Sequence, residues 1–125
     1  MLIVDDDHVT TDQFGRMLAL KGYHVRKAYT ATQGLEEASR ERPDVLILDL
    51  RMQIMDGVEM LQRLRSVSRL SNVPVVIVTG DYFIDDETRQ ELQALGADVR
   101  FKPLWVDDLV AIVNALLHHE TSCQG

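Results

Sequence analysis

The stretch "LIVDDD", residues 2–7, joins two textures that seldom meet without cause. Leu2, Ile3 and Val4 form a short apolar run of the kind found in strands buried on both faces. Asp5, Asp6 and Asp7 follow at once. Adjacent carboxylates repel one another, so these three either form a solvated loop end or share a positive partner. The same texture returns at "VLILD" (45–49) and "VPVVIVT" (73–79), where apolar runs end in Asp49 and Thr79. Weaker runs lie at "HVRKA" (24–28) and "DVRF" (98–101), and the second is followed by Lys102-Pro103.

Between these runs the period changes to that of a helix. From Thr10 to Lys21, residues Phe14, Met17, Leu18 and Lys21 fall on one stripe, and Gly22 is a natural stop. Thr30 with Gln33 fits a capping box, opening a helix that must end before Pro43. Val58, Leu61 and Leu64 mark a third helix, and Leu92 and Leu95 a fourth that closes at Gly96. Asp85 or Asp86 caps the fourth. Asp107 is the expected cap of a fifth, with Leu109, Val110, Val113, Leu116 and Leu117 inward. Five strands alternating with five helices predict an α/β fold, a parallel sheet covered on both faces.

The chain has 125 residues, the size of one domain, and 46% apolar with 26% charged residues is ordinary for a globular protein. A net charge of −7 argues against direct nucleic-acid binding and against an anionic membrane surface. No apolar run approaches the roughly 18 residues that span a bilayer. Met1 leads straight into the first strand without a basic-then-apolar leader. The single cysteine, Cys123, excludes an intrachain disulfide framework. The expectation is a cytoplasmic domain over residues 1–119 with a disordered polar tail, "TSCQG" preceded by Glu120, over 120–125.

In open α/β sheets, ligands bind beyond the carboxyl ends of the strands. Asp5, Asp6, Asp49, Thr79 and Lys102 all stand at such ends, so neighbouring strands would gather them at one rim. Clustered carboxylates with water suit Mg²⁺, and with a lysine and a hydroxyl they offer the charge neutralisation that phosphoryl transfer needs. A carboxylate can itself be the nucleophile and become an acyl phosphate. Asp49, which follows a buried strand and lies centrally, is best placed for that role. Each acid alone would be an unremarkable loop residue or helix cap; the information lies in their joint order.

In order and spacing, "LIVDDD", "LILDLRMQIMDG", "PVVIVTGD" and "LGADVRFKPL" resemble the receiver domain of two-component response regulators, over essentially the whole chain. The resemblance implies a flavodoxin-like (βα)5 three-layer sandwich with strand order 2-1-3-4-5. It implies that Asp49 accepts a phosphoryl group from a histidine kinase's phosphohistidine, a histidine phosphotransfer protein or a small acyl phosphate. Mg²⁺ would be held by Asp5, Asp6, Asp49 and the backbone carbonyl of Arg51. Thr79 would bond a phosphoryl oxygen, Lys102 would pair with the phosphate, and the Lys102–Pro103 bond would be cis. The implied protein is a stand-alone signalling switch, not an enzyme beyond weak Mg²⁺-dependent self-phosphorylation and autodephosphorylation. A downstream protein partner, or a homodimer through Asp85 to Leu95, Val99 to Phe101 and Asp107 to His118, would carry the signal. The alternative is a pseudo-receiver, a phosphorylation-independent interaction module. A phosphatase resembling the haloacid dehalogenases would want an acid where Arg51 stands.

The sequence departs from the receiver pattern in places. Gln53 replaces the usual proline after the acceptor. The segment from Gly96 to Lys102 is one residue short, and Val99 stands where a switching aromatic is common; Phe101 is expected on the other strand face. An Arg51–Asp81 ion pair over the site would slow hydrolysis, against the plainer reading of two separate surface charges. Asp7 faces solvent or caps the first helix, and His8 stands just beyond the acids. Trp105 packs at the start of the fifth helix or serves a partner, and Ile112 suggests surplus apolar surface on that helix.

Overall fold

The computed structural model describes the backbone of residues 1–52, 55–80, 84–102 and 106–124, with the side chains of these residues apart from 106 and 118–124. The expectations at Gln53, Asp81, Pro103 and Trp105, the Lys102–Pro103 bond included, lie outside the described residues.

Five strands, β1 (Leu2–Val4), β2 (Arg26–Ala28), β3 (Leu46–Leu48), β4 (Val75–Thr79) and β5 (Ala97–Phe101), form one parallel sheet of order β2-β1-β3-β4-β5. The helices between them are α1 (His8–Leu20), α2 (Ala31–Arg40), α3 (Gly57–Arg65), α4 (Asp86–Ala94) and α5 (Val106–Gln124). A 3-10 turn at Ser68–Leu70 precedes β4. This is the flavodoxin-like sandwich, and the alternation of strand side chains divides its core in two. Leu2, Val4, Leu46, Leu48, Val75 and Ile77 pack with Ala31 and Ala38 of α2, Met60, Leu61 and Leu64 of α3, and Leu92 of α4. Ile3, Ile47, Val76 and Val78 pack on the other side with Leu18 of α1 and Leu109 and Val113 of α5. β1, β3 and β4 are buried at every residue, as their unbroken apolar runs require.

The helix ends are chemically specified. Asp7 caps α1 by accepting from the Val9 and Thr10 amides, so the helix starts two residues before Thr10. Gly22 (φ 96°) and Gly96 (φ 78°) supply the left-handed turns beyond α1 and α4. Thr30 accepts from the Gln33 amide, while the Gln33 side chain returns to the Tyr29 amide, one residue before the cap. Asp56 and Asp85 cap α3 and α4.

Several expectations are corrected. Asp107 does not cap α5: it lies inside the first turn with Asp108, where carboxylates still favour the positive end of the helix dipole. The inner face of α1 is Thr11, Gly15 and Leu18 with Phe14 against the core, while Met17 is 43% exposed. Ile112 packs against the second core cluster, so it is not surplus surface. Phe101 is not opposite to Val99: Ala97, Val99 and Phe101 all face the first cluster, because residues two apart share a strand face.

Candidate functional site

The rim beyond β1, β3, β4 and β5 gathers the strand-end residues. Register pairs Val4 with Leu48, so Asp5 and Asp49 emerge level on adjoining strands. The Asp49 amide donates to the Val4 carbonyl (2.9 Å) and the Asp5 amide to the Ala28 carbonyl (3.2 Å), so the sheet ladder continues into both acids. Asp5 and Asp49 are buried, 5% and 8% exposed, although both are carboxylates.

One turn of side-chain bonds shapes the first acid loop. Asp5 Oδ1 accepts from the Asp7 amide at 3.0 Å, and Asp7 turns away to cap α1. The fully buried Thr11 hydroxyl lies 3.1 Å from the Asp5 carbonyl and 2.9 Å from that of Asp7, donating to this pair of acceptors. Thr11 was not singled out in the sequence; its signal is a hydroxyl on a helix face otherwise turned to the core. The three acids of "LIVDDD" thus have separate positions. Asp7 is a cap, held below the usual carboxylate range by the Thr10 hydroxyl and the Thr10 and Val9 amides. Asp5 and Asp6 turn to the rim.

Ligand oxygens of Asp5, Asp6 and Asp49 all lie within 4.8 Å of one another. Lys102 Nζ is 3.2 Å from Asp5 Oδ2 and 3.9 Å from Asp49 Oδ1, although β4 and β3 separate β5 from β1. Its amide donates to the Thr79 carbonyl at 2.8 Å, fixing the end of β5 to the end of β4. Thr79 is itself fully buried. Burial, then the Asp5 charge, pushes the Asp49 carboxyl up to about 7; the Lys102 ammonium opposes this, and Asp5 hydrogen bonding and the Asp6 charge add to the rise. Among the described residues, three carboxylates gather and the Lys102 ammonium pairs with two of them, so the cluster has room in charge for a divalent cation. The all-oxygen donor set fits Mg²⁺, a hard ion that keeps water ligands.

The site residues expected from the sequence are therefore distributed as follows. Asp5, Asp6, Asp49 and Lys102 meet at one point, and Thr79 closes the rim beside Lys102. Arg51 is exposed, and its charge is felt by Asp85. The Asp85 carboxyl is lowered first by bonds from the Thr88 hydroxyl and amide, with Arg51 adding attraction. His8 stacks on Tyr29 with ring centroids 4.0 Å apart, and Tyr29 donates to Asp12 at 2.8 Å. That stack has no local sequence signal, since Tyr29 comes from another strand end.

A parallel sheet of this order is the flavodoxin-like class, in which ligands bind beyond the carboxyl ends of the strands, where the acids cluster here. Residues 1–114 match the response regulator receiver domain. The protein PrrA, described as a transcriptional regulatory protein, is similar: 34% identical in Mycobacterium tuberculosis over 122 residues, 98% of this chain and 51% of that protein. In Mycobacterium leprae the figure is 35% over 117 residues, 94% of this chain and 49% of that protein. The chain spans about half the length of the curated relatives it matches. Among solved structures, a CheY-like receiver domain protein from Methanospirillum hungatei aligns with TM-score 0.87 and 29% identity, covering 99% of this chain and 96% of that one. Vibrio cholerae chemotaxis protein CheY4 aligns with TM-score 0.85 and 29% identity, covering 93% and 96%. The chain belongs to the response regulator receiver domain family of two-component signalling.

Proposed function

We propose that Asp49 is the phosphoacceptor of a Mg²⁺-dependent signalling switch, supplied by the phosphohistidine of a sensor histidine kinase or a histidine phosphotransfer protein in the cytoplasm. The observation that carries this reading is the convergence of three carboxylates within 4.8 Å on one ammonium, Lys102. In the transfer, an Asp49 carboxylate oxygen forms a bond to phosphorus as the phosphorus–nitrogen bond breaks, and the donor imidazole leaves with the electron pair. Asp5, Asp6, Asp49 and the Arg51 carbonyl would hold Mg²⁺, which supplies charge neutralisation for the phosphoryl oxygens. Lys102, released from Asp5 and Asp49, neutralises a further oxygen, and the Thr79 hydroxyl donates to another. Autodephosphorylation is attack of water on the same phosphorus, returning the Asp49 carboxylate and inorganic phosphate. Phosphorylation shifts a two-state equilibrium by its differential contacts at Lys102 and Thr79.

The output of this reading is a partner surface or a homodimer at residues 85–95, 99–101 and 107–118. Among the described residues, that face carries no large exposed apolar side chain; those lie at Val9, Met17, Leu20 and Val67. Pairing at the face would rest on charge, with Asp86, Glu87, Asp107 and Asp108 exposed alongside Arg89 and Arg100, and would weaken as salt rises.

The test is intact mass after incubation with acetyl phosphate, with and without Mg²⁺. A single phosphate is expected only with Mg²⁺. A wild-type chain that acquires none under either condition would favour the phosphorylation-independent interaction module.

A further inference from the structure

The Gly57 amide, at the start of α3, donates at 2.8 Å to the carbonyl of Leu50, the residue after Asp49. Just before Gly57, Met55 inserts into the core and Asp56 caps α3 by accepting from the Glu59 amide. Gly57 lies where no other residue fits. A Cβ there would stand 2.7 Å from the Asp49 carbonyl oxygen, 3.0 Å from Leu50 Cα and 3.4 Å from the Asp49 carbonyl carbon. All three are backbone atoms and cannot rotate aside. The demand is for space alone, since among the described glycines only Gly22 and Gly96 have positive φ. Gly34 provides the contrast. A Cβ there would meet Val4 Cγ2 at 2.7 Å and Met60 Cε at 2.8 Å, which are side-chain atoms of the apolar core.

We infer that Gly57 is a positioning residue for the acid cluster: its bare Cα lets the first turn of α3 press against the Asp49–Leu50 peptide and so fixes where the Asp49 carboxylate and the Arg51 carbonyl stand. Any side chain at 57 must push this peptide or break the Gly57–Leu50 bond. Either movement displaces donors that must converge to within a few tenths of an ångström on a small, octahedral ion. The inference rests on the proposed Mg²⁺-assisted site and names what sets its geometry.

The experiment compares Gly57→Ala with Gly34→Ala and the wild type by Mg²⁺ titration calorimetry, thermal unfolding and the rate of mass gain with acetyl phosphate. Gly57→Ala is expected to lose at least tenfold in Mg²⁺ affinity and tenfold in labelling rate at saturating Mg²⁺. Gly34→Ala is expected to lower the melting temperature while keeping wild-type Mg²⁺ affinity below its transition. A second readout needs no variant: in amide NMR of the wild type, the Gly57 signal should move with the same Mg²⁺ midpoint as the calorimetry while Gly34 stays still. Wild-type Mg²⁺ affinity in Gly57→Ala, an equal loss in Gly34→Ala, or a Gly57 amide indifferent to Mg²⁺ would each overturn the inference. Failure of the wild type itself to bind Mg²⁺ or take up phosphate would instead remove the site reading on which it rests.

Discussion

Leu48 and Asp49 are consecutive residues, both less than a tenth exposed, and burial acts on them in opposite directions. The Leu48 side chain gains about 1.5–3 kcal/mol from leaving water. Taking the Asp49 carboxylate out of water disfavours its charge, and Asp5 disfavours it further, so the carboxyl is pushed up to about 7. One position along a strand divides a region that stabilises the fold from a region that the fold must hold in place. The buried strands set the position of the rim: β1 and β3 carry Asp5 and Asp49 out level, whatever those acids prefer.

The sharpest way to break the contrast is Asp49→Asn. It keeps the shape of the side chain and removes the nucleophilic oxygen, so phosphate uptake should vanish, read by intact mass. A residual adduct of equal mass would show a second acceptor. On the core side, Leu46→Ala should cost about 2–5 kcal/mol in urea unfolding, since Leu46 is fully buried between β1 and β4. Mg²⁺ affinity measured below the transition should be unchanged.

Proton linkage sharpens the comparison at an intermediate scale. The folded Asp49 value near 7 lies above the ordinary 3.8, so the folded state holds the proton more tightly between the two. Stability from this group is therefore complete below about pH 4 and is lost as pH rises through 7. Asp7, Asp12, Asp85 and Glu37 shift downward, so their contributions are present above about pH 4 and lost below it. Between pH 5 and 7 the comparison with Asp49→Asn removes the contributions that the two chains share, the lowered Met1 ammonium among them. Without Mg²⁺, wild-type stability should fall relative to Asp49→Asn across this range by on the order of 2 kcal/mol. Saturating Mg²⁺ should flatten the difference; a parallel pair of metal-free curves would refute the account. The smallest effect belongs to a helix end away from the acids. Asp85→Ala removes the α4 cap to the Thr88 amide at 2.8 Å and should cost about 1 kcal/mol, with phosphate uptake unaltered.

Much of this was legible along the chain. The apolar runs ending in acids mark strands buried on both faces, and the caps at Thr30 and Asp85 follow from local chemistry that needs no distant partner. Departures have two sources, a neighbour in space and a strand period that local sequence already contains. Met17 satisfies the helical period, yet the inner face of α1 is set by what α5 and the sheet leave open, and Thr11 occupies it to hold the acid loop. Phe101 shares a face with Val99 because the two-residue strand period puts both there, against the expectation of opposite faces. The Arg65 guanidinium, which no sequence motif marks, donates to the Leu95, Leu70, Ser71 and Val73 carbonyls, joining α3 to α4 and to the approach to β4.

By itself the sequence determined the strand and helix periods, the residues that end each strand and the chemistry those residues could perform, because all of these depend on side chains near in the chain. Only the tertiary structure decided which ends meet. The reach of Lys102 over two strands to Asp5, the level emergence of Asp5 and Asp49, and the close contact of Gly57 with the Asp49 carbonyl arise from strand order, register and packing. Those are distances between parts of the chain far apart in sequence, and no local preference encodes them.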